Sequence, residues 1–294
     1  MESITYISLF FAIISPVIWA MMNLLDKYVV EHKTKNVMSF TLVSGFIGLL
    51  IGVVMTLFLD WSFPITVKEF IIPAVAGIIF GLQYYLYFYL ISKEDVSHVI
   101  GLVYFYPIVT AVLSFFFLSE KLSLVSYLGI FLVITGAVMI SVKISVLKSK
   151  VFGWGILLLI ITTAVYEFLF KVSTTSMPES NGLAITQIFI GISVLFGFFH
   201  KKTRKGFLSE MRNIKWIVLA EVFTFFGTLT TFFAMNGLSA TIVATIGATQ
   251  PLIVLLLERA FHFFGIRVSE DIRFLPKLIP ISLIVIGIII LSIG

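Results

Sequence analysis

The chain has 294 residues, 60% of them hydrophobic and 12% charged, and carries a net charge of +5. A soluble domain has about a quarter charged residues, so this composition excludes a water-facing surface over most of the molecule and assigns the bulk of it to lipid or to other helices. There is no cysteine, which removes a disulfide framework, a thiol nucleophile and a thiolate metal site, and the basic residues crowd into loops, which is not a nucleic-acid footprint.

A spanning helix needs about 20 mostly apolar residues. Ten runs meet this requirement: 4–25, 37–59, 67–91, 97–118, 122–142, 152–174, 182–199, 214–236, 238–258 and 274–293. Backbone groups in lipid must be satisfied within the segment, so the runs predict helices, and they lack the alternation of barrel strands. Glu2 spoils the basic start of a cleavable signal, so the first run is expected to remain as a span. It contains Pro16, Trp19 and Asn23, and it ends at Asp26–Lys27. The second and third runs hold the pairs Gly48–Gly52 and Gly77–Gly81, a spacing that permits close helix packing. The third also holds the aromatic stretch QYYLYFY (83–89), in which Tyr84 is the expected cavity residue. In the fourth run Tyr106 precedes Pro107, and in the ninth Gln250 precedes Pro251. Each proline removes a backbone donor and frees a carbonyl, which a membrane tolerates where protein or a cavity re-satisfies it. Pro16 is expected to bend the first span in the same way.

The sixth run opens with WGILLLII (154–161), without a charge, and then carries Glu167 and Lys171. The eighth carries Glu221, with Thr228 two turns further along the same face. An ionisable residue in a span is costly and by default faces protein or a water-filled cavity. Glu167 and Lys171 stand four apart in the favourable order, so an ion pair between them is one reading, and a cavity role for Glu167 is the other. Counted at the helical rise, Glu221 lies roughly 10 Å and Glu167 roughly 22 Å from the same membrane face, which staggers them in depth. Asp26 and Glu258 are each followed by a basic residue near a span end and read as capping or gate charges. The histidines His32, His98, His200 and His262 show no ligand spacing, so neither a metal nor a cofactor is expected.

Self-similarity organises these features. At a shift of 144 residues Lys27 falls on Lys171, YFYL (87–90) on TFFA (231–234), and YPI (106–108) on QPL (250–252). At 151, LVITGAVMI (132–140) falls on LIVIGIIIL (283–291), and at 150, LSEKLS (118–123) resembles VSEDIR (268–273). The chain therefore divides into a first five-helix repeat, 1–146, and a second, 147–294. Five is odd, so the second copy enters the bilayer upside down, a recurring plan of secondary transporters with the site at the repeat interface. The same shift pairs Glu167 with Asn23, Glu221 with Gly77, and Tyr84 with Thr228, so the copies share positions but the second carries the acids. Of the Lys and Arg residues, 17 fall on the odd-numbered loops and 3 (Lys68, Lys121, Lys171) on the even side, which places the odd loops in the cytoplasm and both termini outside.

SPVIWAMMNLLDK (15–27), YFYLISKEDVSHVIGLVYFYP (87–107) and FLSEKLSLVSYLGIFLVITGAVMI (117–140) resemble the EamA-type family of the drug/metabolite transporter superfamily. The resemblance covers the whole chain and is strongest in the fourth and fifth spans. It implies ten helices in two inverted halves, with the first, third, fourth, sixth, eighth and ninth lining a central cavity and the fifth and tenth at the periphery. Relatives often hold both termini in the cytoplasm, the reverse of the lysine bias here. They move amino acids, amines, nucleotide sugars and drugs, so no substrate follows.

The expected protein is an all-α, multi-pass protein of the cell membrane that carries small polar metabolites by alternating access, with Glu167 and Glu221 handling a proton or a cation. Trp19, Asn23, Tyr84, Tyr106, Thr228 and Gln250 would shape the pocket. A cationic or zwitterionic solute is preferred, because a phosphorylated anion would want several buried basic residues and only Lys171 is available. The expected partners are that solute and membrane lipid, with a homodimer open and no nucleic acid. A passive channel or lipid scramblase is the alternative. An intramembrane enzyme has no support, since HExxH, GxSxG and paired intramembrane aspartates are all missing.

Overall fold

The structure is a computed structural model, and it describes residues 2–61, 66–94, 96–141, 150–175, 177–263 and 277–293. Among these residues every regular element is helical. The first half contains α1 (Glu2–His32), α2 (Val37–Thr56), α3 (Val67–Ile91), the pair α4 (Val96–Val103) and α5 (Tyr106–Phe117), and α6 (Leu124–Ser141). The second half contains α7 (Lys150–Thr174), α8 (Glu179–Leu195), the short α9 (Lys201–Glu210), α10 (Ile214–Gly237), the pair α11 (Ala240–Gly247) and α12 (Gln250–Phe263), and α13 (Leu278–Ile293). Counting each pair as one broken span gives the ten crossings. Eight are long and apolar enough by themselves, and the apolar stretches of the other two, Leu124–Ile140 and Leu278–Leu291, are shorter.

The prolines break the fourth and ninth spans, and they break them alike. Phe105 N bonds Leu102 O at 3.3 Å and Ile108 N bonds Phe105 O at 3.1 Å; Thr249 N bonds Ile246 O and Leu252 N bonds Thr249 O, both at 3.0 Å. Every residue in the second set is 144 beyond its counterpart. The ladder thus tightens to three-residue turns at the step where proline has no N–H to give. Pro16 does not split its span in this way: α1 runs as one helix from Glu2 to His32.

Packing follows the same symmetry. α1 lies against α10 and its counterpart α7 against α3; α5 lies against α7 and its counterpart α12 against α1. α2 with α8, and α6 with α13, pair across the two halves with their own counterparts. Glycines make these approaches possible. A Cβ at Gly52 would stand 2.8 Å from Ile188 N, and one at Gly77 2.9 Å from Phe189 Cβ, so α8 beds into a groove lined by α2 and α3. Gly129 and Gly287 oppose each other where α6 meets α13.

The two span lysines provide a further correspondence. Lys27 Nζ donates to Ile91 O at 2.9 Å and Glu94 O at 2.8 Å, while Lys171 Nζ donates to Met235 O and, at 2.8 Å, to Leu238 O. Acceptors as well as donors are 144 residues apart. Each ammonium closes the carbonyl end of a long helix, α3 or α10, where orphan C=O groups and the helix dipole favour a cation. Of the two readings of Glu167 and Lys171, the ion pair therefore does not form: the lysine stem spans to α10 instead of folding back along α7.

Two expectations about element ends are also corrected. The first span does not stop at residue 25, because polarity ends an apolar run without ending a helix, and Lys27 pairs with Glu31 at 2.7 Å one turn on. The connection at 200–213 is not a plain loop. It folds as α9, with Thr203 and Glu210 buried and Phe207 half-buried on one face. Ser39 Oγ donates to Thr203 O at 2.8 Å, and Glu210 Oε1 accepts from Lys35 N and Asn36 N at 3.0 Å each, so α9 fastens the second half to the start of α2. The 146/147 division, the VSEDIR turn, and Lys143, Lys148, Arg267 and Arg273 lie outside the described residues.

Candidate functional site

A cavity of about 140 Å³ lies between the halves, lined by residues of the first, third, fourth, sixth, eighth and ninth spans. Seven of the eight residues expected from the sequence reach it: Trp19, Asn23, Tyr84, Tyr106, Glu167, Glu221 and Gln250. Thr228 does not. It is fully buried, and its hydroxyl donates to Thr224 O at 2.9 Å, while Thr224, one turn earlier, lines the cavity instead.

The acids are arranged at two places. Glu221 on α10 is buried, and its Oε1 accepts from Ser44 Oγ of α2 at 2.7 Å. Glu221 can point this way because Gly48 of α2 leaves room: a Cβ there would stand 3.3 Å from Glu221 Oε2. At the matching point of the first half, Gly77 lets α3 press directly onto α8. One copy therefore uses the position for contact and the other for a carboxyl group. Glu167 on α7 stands among Tyr104, Tyr106 and Tyr166, and its Oε2 is enclosed without a hydrogen-bond partner among the described residues.

A third acid was misjudged. Asp26, expected as a cap or gate charge, is buried inside the extended α1, lines the cavity, and lies close enough to Glu221 for their charges to interact. Tyr87 OH bridges it to Asn23, with 2.8 Å to Asn23 Oδ1 and 3.2 Å to Asp26 Oδ2. The signal was present in the spacing: Trp19, Asn23 and Asp26 fall at i, i+4 and i+7, one helical face. Tyr87, Tyr104 and Tyr166 also line the space. Tyr104 OH donates to Gln250 Oε1, joining the two proline breaks, and Tyr106 OH reaches Ala244 O at 3.5 Å.

The remaining polar groups are tied across the two halves. Trp19 Nε1 donates to Thr231 Oγ1 at 3.3 Å, and Ser15 Oγ meets the same hydroxyl at 2.7 Å. Thr162 Oγ1 donates to Gln83 Oε1 at 2.9 Å. Trp19 is seated on Gly227, where a Cβ would stand 2.8 Å from the indole Cε2. Chemically, the cavity offers three carboxyl groups, a Trp and several Tyr rings, three amides and hydroxyls, and no Lys or Arg among the described residues. No group of acid or histidine side chains with metal-holding geometry occurs among them. Such a lining suits a cation or a hydrogen-bonding solute, with aromatic faces able to add to the attraction.

Two like helical halves enclosing a polar chamber are a recurring plan of secondary transporters. The EamA-like transporter family model matches residues 6–142, so the first half of the chain is similar to that family. Matches to solved structures number 28 chains. One of these, titled only as the crystal structure of a protein, is 16% identical, with a TM-score of 0.65 over 100% of this chain and 97% of its own; it shares the fold. The curated proteins contain no match.

Proposed function

We propose that this protein is a secondary active transporter of small polar metabolites in the cell membrane, working by alternating access between the 1–146 and 147–294 repeats. The favoured solute is cationic or zwitterionic, an amino acid or an amine. The observation that carries this reading is the charge of the chamber: Asp26, Glu167 and Glu221 face it and no basic side chain among the described residues does. Three acids without a counter-cation in a low-dielectric space are costly unless a proton or a substrate cation joins them.

In this reading Glu221, held by Ser44, and Glu167, beside the Tyr104–Gln250 link, exchange a proton or meet the ammonium group of the substrate. Trp19, Asn23, Tyr84, Tyr106 and Gln250 shape the pocket, with Asp26 and Tyr87 added to them. Thr228 serves the wall through Thr224. The two tightened breaks in the fourth and ninth spans sit where the halves meet, which suits rocking of one half on the other. The small chamber favours a compact solute over a phospholipid, so scrambling is the weaker alternative.

The test is counterflow in proteoliposomes across amino acids, amines and sugars. Saturable counterflow for a cationic or zwitterionic solute supports the reading, and flux that neither saturates nor exchanges sends it to the passive-channel alternative. Glu221→Gln and Glu167→Gln should each abolish or uncouple uptake while leaving the protein folded. Unchanged uptake in both variants removes these two acids from the mechanism.

A further inference from the structure

Outside the chamber, a strongly charged surface lies on the helix that the hydrophobic runs do not reveal. α9 carries Lys201, Lys202, Arg204 and Lys205, all exposed, and its one acid, Glu210, is buried and occupied by the backbone of Lys35 and Asn36. Asn213 Nδ2 donates to Lys33 O at 2.9 Å, which brings the exposed Lys33, Lys35, Arg212 and Lys215 to the same face. Among the described residues no ion pair involves Lys201, Lys202, Arg204 or Lys205.

The patch is bordered by greasy side chains. Phe199 is 85% exposed, Leu208 78% and Phe196 58%. They flank α9 where it leaves α8 and turns into α10, both of which present apolar residues, Ile192, Val218 and Leu219, on their outer surfaces. A nucleic acid or an acidic protein would have no use for exposed Phe and Leu at the edge of a membrane span. A bilayer surface uses both, since apolar side chains enter the acyl boundary while Lys and Arg reach the headgroups.

We propose that α9, with the adjoining ends of α1, α2 and α10, is a docking surface for anionic phospholipid headgroups. The phosphates neutralise Lys201, Lys202, Arg204 and Lys205, and Phe199 and Leu208 insert beside them. Because Ser39 and the 35–36 backbone hold α9 to α2 of the other half, the lipid sits on a clamp between the repeats. The proposal is independent of the transported solute.

The test uses the full chain purified in mixed micelles of phosphatidylglycerol and phosphatidylcholine in equal amounts, with retained lipids counted by native mass spectrometry. Each basic residue near an anionic surface contributes enough attraction that retained phosphatidylglycerol should exceed phosphatidylcholine by about tenfold. K201Q/K202Q/R204Q/K205Q should bring the ratio close to one, while K68Q/K121Q, on the opposite side, should leave it unchanged. If the fourfold variant does not fold, the four single variants are measured, and each should lower the ratio. Equal retention in the unaltered protein, or an unchanged ratio in the α9 variants, overturns the proposal. So does equal competition by glycerophosphoglycerol, which has the headgroup but no acyl chains.

Discussion

Glu167 and Lys171 illustrate how a residue pair can be in the right register and still not pair. Four residues apart on one helix, they satisfy the spacing rule for an ion pair, and only the fold reveals that Lys171 has two carbonyls within reach on α10. Asp26 illustrates the converse. Its neighbour Lys27 made it resemble a surface charge, yet Lys27 turns away to cap α3 and leaves Asp26 facing the chamber with Tyr87. Both cases have one physical cause: a long amine can serve a helix end that is distant in sequence, and nothing local marks which end. Tyr87→Phe removes the bridge between Asn23 and Asp26 without changing the volume of the ring. Counterflow with this variant should show an apparent substrate affinity weaker by about tenfold or more, since a hydrogen bond to a charged group contributes about 1.5–3 kcal/mol. Unchanged affinity would place the Asn23–Tyr87–Asp26 link outside the binding surface. Gly227→Ala should act through Trp19, which the added methyl group would displace from its seat. A loss of transport together with a change in Trp fluorescence is expected, and retained transport with an altered spectrum would show that the ring position is unimportant.

At the scale of elements, the ten spans and both proline breaks were legible, because apolar length and a missing N–H are properties of the residues themselves. α9 was not legible as a span-like run, being hydrophilic, although Thr203, Phe207 and Glu210 at i, i+4 and i+7 trace its buried face. The tight seating of α8 was legible in part, from the glycine pairs of α2 and α3. Gly52→Val would force a branched side chain onto the α8 backbone at Ile188 and should cost about 1–3 kcal/mol, read as a lower thermal midpoint in detergent. An unshifted midpoint would mean that α2 and α8 are not in such close contact. The two lysine caps give a graded expectation. Lys27 is 4% exposed and also pairs with Glu31, whereas Lys171 is partly exposed and has no carboxylate in the corresponding place, where Thr175 stands. Lys27→Met should therefore lower the thermal midpoint more than Lys171→Met. The reverse order would indicate that the helix-end carbonyls, and not the added ion pair, set the strength of the cap.

For the whole molecule, the governing feature is a backbone duplicated with fidelity and a chemistry that is not. Helix breaks, lysine caps and packing partners recur 144 residues apart, while the chamber's acids Glu167, Glu221 and Asp26 correspond to Asn23, Gly77 and Phe170 in the opposite copy. In the proposed mechanism the shared geometry would supply two equivalent arrangements for alternating access, and the unequal side chains keep the charge on chosen walls. The fold was legible at this scale because shifts align across several helices at once; the tyrosine links across the chamber were not, because they join residues of different spans at no fixed spacing. The natural chain has no cysteine, so single cysteines can be introduced without any background. A thiol reacts as the thiolate, which forms in water and not among acyl chains. The most direct measurement is therefore the labelling of single-cysteine variants in membranes by a water-soluble thiol reagent. Gln83→Cys, Thr163→Cys and Thr224→Cys line the chamber, and Leu82→Cys and Val222→Cys, next to them on the outward faces, serve as the comparison. The account predicts rapid labelling of the first three, slowed by transported solute, and negligible labelling of the last two. Equal reactivity of both sets, or labelling only at residues 82 and 222, would contradict a wet chamber enclosed by the two halves.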